Sequence, residues 1–104
     1  MKVVFATGAL DDIVEAQTWW VANRHDAAGL MSEELTAAFD ELPEVAESLP
    51  RFRRVGLRDI RRHFLPRVHR HIYFHISTDG NVVVLAVWGA VRGLLPRLRK
   101  RADP

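Results

Sequence analysis

Cysteine is absent from this chain of 104 residues, which excludes disulfides and thiolate metal sites and allows a reducing compartment. Long apolar runs are absent too. The longest aliphatic stretch, residues 82–87, is far short of the roughly 20 residues that cross a membrane. The opening Val3-Val4-Phe5 is too short for a signal peptide and soon meets Asp11 and Asp12. These absences predict a cytoplasmic protein with no membrane segment. No repeat or low-complexity tract appears, and 104 residues make one domain, 1–104, with 97–104 read as a flexible basic tail.

Cations are scarce in the first half and carboxylates in the second. Residues 1–49 hold two Lys or Arg against ten Asp or Glu, a net of −8, while residues 50–104 hold thirteen against three, a net of +10. Such asymmetry suggests a nucleic acid or an acidic partner for the second half. The plainer alternative is that acidic helices neutralise a basic sheet within one fold.

What is present reads as alternating periods. Residues 2–6 predict a strand. Thr7 is a candidate N-cap, with Asp11 and Asp12 expected in the first turn, where carboxylates favour the positive helix end. Leu10, Ile13, Val14, Trp20 and Val21 recur at spacings of three and four around Gln17, predicting an amphipathic helix over 8–23 with these residues as its apolar face. A second helix, 27–42, would turn Met31, Leu35, Ala38, Phe39 and Leu42 inward. Pro43 is expected to end it and to start a short extra turn at 44–48. After Pro50 the period becomes two. Residues 58–65 alternate as a strand, Pro66-Arg67 turns, and 69–76 alternates again, with Ile72, Phe74 and Ile76 opposite His71, Tyr73 and His75. Thr78-Asp79-Gly80-Asn81 reads as a hairpin turn, and 82–88 as a strand covered on both faces. The order β-α-α-β-β-β predicts an α+β domain, a helical hairpin on a twisted, mainly antiparallel four-stranded sheet.

This order, with several local patterns, resembles the RelE/ParE family of toxins from bacterial type II toxin–antitoxin systems, over nearly the whole chain. The residues that carry the resemblance are the opening Thr7-Gly8-Ala9-Leu10-Asp11-Asp12-Ile13, the stretch Ala37-Ala38-Phe39 ahead of Leu42, the segment 64–76 around Arg70-His71-Ile72-Tyr73, and the closing 82–87 followed by Trp88-Gly89-Ala90-Val91-Arg92. The resemblance implies growth arrest, a cognate antitoxin that neutralises the chain in a hetero-oligomer, and one of two targets. ParE-like members inhibit DNA gyrase; RelE-like members cleave mRNA on the ribosome. No cofactor or metal is expected.

Metal-free RNA cleavage needs a base for the 2′-hydroxyl, cations for the phosphate and an acid for the leaving oxygen. Carried over position by position, the RelE-like catalytic set falls on Arg61, His63, Arg70 and Arg92. The arginine expected before the turn falls on Leu65, with Arg67 as the possible substitute, and the terminal Tyr or His falls near Leu98, where neither stands. The missing acid favours the ParE-like reading. The surface expected to meet the target comprises Arg58, Arg62, Arg67, Trp88 and Arg97; Arg51, Arg53 and Arg54 extend the same run, since guanidinium groups suit phosphate. The plainer reading of these arginines is a solvated face.

Trp19 and Trp20 are adjacent on the first helix, so only one can face the core fully. They are the candidates for antitoxin contact, since Trp is enriched in binding hot spots. His69, His71 and His75 are spaced to share one strand face. A polar surface accounts for them more simply than a metal site does.

Overall fold

The computed structural model describes residues 1–89. Its elements run β1 (Val3–Phe5), α1 (Thr7–Asn23), α2 (Leu30–Val45), β2 (Arg51–Val55), β3 (Arg58–Leu65), β4 (Arg70–Ile76) and β5 (Val82–Gly89). The fold is α+β, as the sequence predicts. The sheet has five strands rather than four, in the order β1-β5-β4-β3-β2, and it is mixed: β1 runs parallel to β5 and every other pair is antiparallel.

The added strand is β2. Its residues Arg51-Phe52-Arg53-Arg54-Val55 carry three arginines, with Phe52 and Val55 as the strong strand formers. Pairing with β3 makes the strand, closed by the two-residue turn Gly56-Leu57. Gly56 takes φ +62°, a conformation that costs glycine little. Gly80, at φ +82°, serves the β4–β5 turn in the same way, where Ser77 N–H donates to the Asn81 carbonyl at 2.8 Å.

Both helices lie on one sheet face. Met31, Leu35, Ala38 and Leu42 of α2 are buried there as expected, with Phe39 partly buried and its ring edge-on to Phe5 at 4.9 Å. Pro43 does not end α2, which continues to Val45 and then tightens into a turn over 46–48. So close to the C-terminus Pro43 removes one helical hydrogen bond, and the fully buried Leu42 and Ala46 on either side hold the chain to the core.

The inward face of α1 differs from the expectation. Ala9, Asp12, Ala16 and Trp20 are buried, whereas Leu10, Val14 and Val21 are 50%, 64% and 51% exposed. Small residues let the helix sit close to β5, and the larger aliphatics turn outward. Thr7 is the first helical residue rather than the cap; Ala6 holds the cap position without a side-chain hydrogen bond, and the first turn carries no acid. Asp12 lies one turn deeper. Its Oδ2 accepts the Val87 N–H at 3.0 Å. β1 pairs with β5 only over Val82, Val83 and Val84, so beyond β1 the Asp12 carboxylate takes a hydrogen bond that a longer strand would have taken.

The opposite sheet face has its own smaller core of Ile60, Tyr73, Leu85 and Ala86, with Phe52, Val55, Val83 and Trp88 packed against it. Leu85 and Ala86 both belong to it because β5 bulges there: Tyr73 faces Ala86 while Phe74 faces Val84. Among the described residues no helix is long and apolar enough to cross a membrane.

Candidate functional site

Strand register decides which side each candidate faces. On β4, Ile72 and Phe74 enter the core beneath the helices, so Tyr73 lies on the far face with His71 and His75. β3 pairs Arg62 with Tyr73 and Phe64 with His71. Arg62 and Phe64 therefore join the far face. Arg61 pairs with Phe74 and His63 with Ile72, which turns both toward the helices.

This separates the residues that sequence reasoning grouped as catalytic. Arg61 and His63 do share a face, but it is the helix-covered one. The Arg61 guanidinium is committed there, donating to the carbonyls of Glu47 at 3.1 Å and Leu49 at 2.6 Å. Burial holds the His63 imidazole below its ordinary pKa of 6.5, against a smaller opposing pull from Glu41. Arg70 is also on the helix side. It pairs with Leu65, donates to the carbonyls of Val68 at 3.1 Å and His69 at 3.3 Å, and places its guanidinium 5.8 Å from the Trp19 ring. Arg67 sits in the turn and pairs with Glu34 of α2 at 3.2 Å. Arg92 and Arg97 lie outside the described residues, as does the tail 97–104.

The far face gathers a different set. Phe52 has the Arg62 guanidinium at 4.4 Å and that of Arg53 at 5.1 Å from its ring. Its ring meets Tyr73 at 5.3 Å; Tyr73 meets His71 at 5.9 Å, and His71 meets Phe64 at 5.0 Å. Trp88 lies opposite His71 on β5. At the other end, Arg58 Nη1 lies 3.2 Å from His75 Nε2. A guanidinium only donates, so Nε2 accepts and the proton of neutral His75 sits on Nδ1. Nδ1 of His75 and of His71 are both buried without a hydrogen-bond partner.

Both imidazoles are held below their ordinary pKa of 6.5, first by burial and then by a neighbouring cation, Arg62 for His71 and Arg58 for His75. Both shifts favour the neutral ring, and guanidinium groups carry the fixed positive charge of this face. Of the residues expected to meet a target, Arg58, Arg62 and Trp88 thus share one face, and Arg67 does not.

His69 leaves the histidine row. It is in the β3–β4 turn at φ +48°, a left-handed conformation in which His is over-represented, and it restarts β4 with the phase that separates Arg70 from His71. Among the described residues no group of three His, Cys, Asp or Glu side chains is placed to hold a metal. Of the two antitoxin candidates, Trp20 is buried, its Nε1–H donating to the Ala27 carbonyl at 2.9 Å, and Trp19 is 47% exposed.

Sequence reasoning missed Phe52 and Phe64 as parts of this surface, and Tyr73 as the buried ring beneath it. The alternation of 69–76 did place His71, Tyr73 and His75 together. What it lacked was the register of β3, since a shift of one residue exchanges Arg61 for Arg62 beside Tyr73.

No family model matches the chain, and neither a curated protein nor a solved structure matches it.

Proposed function

We propose that this chain is the toxin of a bacterial toxin–antitoxin pair, resembling the RelE/ParE family, that arrests growth by ParE-like inhibition of DNA gyrase through the sheet face opposite its helices. The observation that carries the reading is the clustering of Arg58 and Arg62 with Phe52 and Trp88 on that one face, over the buried Tyr73. Cations set among aromatic rings form a surface for holding a large partner, and Arg and aromatic residues are the groups that dominate such interfaces.

The non-nucleolytic reading is favoured over RelE-like mRNA cleavage on two grounds. The catalytic positions carried over from the resemblance, Arg61, His63 and Arg70, lie on the helix side, where Arg61 and Arg70 bond backbone carbonyls. On the far face, burial and a neighbouring guanidinium lower the pKa of His71 and His75, which disfavours the charged imidazole that a general acid needs. Four residues along a strand also separate them by about 13 Å, too far to serve one scissile phosphate together. The cleavage reading keeps one specific support, the Arg62 guanidinium close enough to His71 to lower its pKa, beside Tyr73.

Inducing the chain alone, and then with its neighbouring gene, tests toxicity and neutralisation. Purified protein is then incubated with gyrase and relaxed plasmid. Loss of supercoiling by the wild type, restored by Arg62→Ala, is the expected result. Unimpaired gyrase together with new mRNA 5′ ends in induced cells transfers the assignment to ribosome-dependent cleavage.

A further inference from the structure

β1 pairs with β5 only as far as Val84, so among the described residues no strand lies beside the outer edge of β5 beyond that point. A groove of about 290 Å³ opens there, between Glu15, Ala16 and Trp19 of α1 and Val87 and Gly89 at the end of β5. We propose that it is the seat of this chain's own continuation: residues 90–95 fold back into the groove, with the Arg92 guanidinium on the Glu15 carboxylate and Leu94 or Leu95 against Trp19. This seat is independent of the toxin reading, which concerns the sheet face opposite the helices.

Position selects the occupant. Gly89 is both the last described residue and part of the groove wall, and fifteen residues follow it. Arg92 is three residues on, a reach of up to about 10 Å in extended chain. Glu15 lines the same groove, on the exposed side of α1. Gly93 comes next, and glycine takes a reverse bend at little steric cost. A segment tethered this closely acts at an effective concentration of about millimolar, so contacts too weak to hold a separate molecule suffice.

Chemistry selects the same occupant. Buried Ala16 and Val87 make the lining apolar, and Trp19, 47% exposed, adds an indole face. The segment Ala90-Val91-Arg92-Gly93-Leu94-Leu95 carries one cation among apolar side chains and no acid. α1 is its complement, with Asp11, Asp12 and Glu15 and no Lys or Arg. Asp12 accepts the Val87 N–H, so Glu15 is the carboxylate placed to receive a guanidinium. Arg70 also lines the groove, 5.8 Å from the Trp19 ring, and repels a second guanidinium from its own side. Arg92 is thereby directed to the helix wall. A second copy presenting its own α1 would set acid against acid.

The test uses the full chain and its charge variants, read by the indole N–H resonance of Trp19, assigned with Trp19→Phe. Arg92→Glu and Glu15→Arg are each expected to shift it toward its position in a chain ending at Gly89, with unchanged circular dichroism spectra. The double variant Glu15→Arg/Arg92→Glu is expected to return it toward the wild-type position. Because the chain has no cysteine, proximity is read separately in a form that needs no truncation. Glu15→Cys/Arg92→Cys is expected to form an intramolecular disulfide more than about tenfold faster than Glu33→Cys/Arg92→Cys, whose first cysteine stands on the exposed side of α2. A Trp19 resonance unmoved by removal of residues 90–104, no return in the double variant, or equal oxidation of the two cysteine pairs overturns the proposal. Cross-linking only between molecules, or a Trp19 shift that varies with protein concentration, overturns it in favour of a second copy in the groove.

Discussion

The Asp12 carboxylate and the Val87 N–H are joined at 3.0 Å, a hydrogen bond from the second turn of the first helix to the strand that ends the described chain. Asp12 is nearly buried and Val87 is in the core. Removing the carboxylate leaves a backbone donor in the interior without its acceptor. Asp12→Ala is expected to lower unfolding free energy by about 1–3 kcal/mol, and Asp12→Asn, which keeps an acceptor oxygen, by clearly less. Urea unfolding of the two variants checks the order, and equal losses would show that the hydrogen bond is not the cause.

Acidification should destabilise the protein through its histidines. His63, His71 and His75 are all held below the ordinary value of 6.5. Between the folded and unfolded values the unfolded chain binds more protons. The stability that comes from keeping these rings neutral is therefore complete above about pH 6.5 and lost as pH falls through the folded values. The urea midpoint is expected to drop from about pH 7.5 to about pH 5, and to drop less in a variant carrying His71→Gln and His75→Gln. A midpoint that rises on acidification contradicts the assigned direction.

Neighbouring arginines on β3 should have separable effects. Arg61 fastens the sheet to the chain after α2 through the Glu47 and Leu49 carbonyls, so Arg61→Ala is expected to cost about 1–2 kcal/mol of stability. Arg62 lies over Phe52 on the far face. Arg62→Ala is expected to cost less stability and to reduce growth arrest more. Thermal denaturation beside a plating assay on both variants decides it; the opposite pattern would place the target surface on the helix side.

The outer stripe of α1 inverts what hydrophobicity alone suggests. Val14 is 64% exposed and Ala16 is 5% exposed against the sheet. Val14→Ser should change stability by no more than about 0.5 kcal/mol, whereas Ala16→Leu should cost about 1–3 kcal/mol by forcing helix and sheet apart. Chemical denaturation of the two proteins measures both.

Much of the local structure is legible in the residue pattern alone. A period near 3.6 located both helices, alternation placed Ile72 and Phe74 opposite His71 and Tyr73, and Asp79-Gly80 marked the last hairpin. These signals are local, because side-chain direction along one element follows from its own geometry. Packing between elements sets which face of α1 is buried, that an arginine-rich segment is a strand, and that Arg62 rather than Arg61 stands beside Tyr73. Each depends on a partner distant in sequence: small Ala9 and Ala16 are chosen by close approach to β5, β2 exists through its hydrogen bonds to β3, and the face of Arg61 is fixed by pairing with Phe74. Periodicity gives the phase within an element, and packing between elements gives its direction.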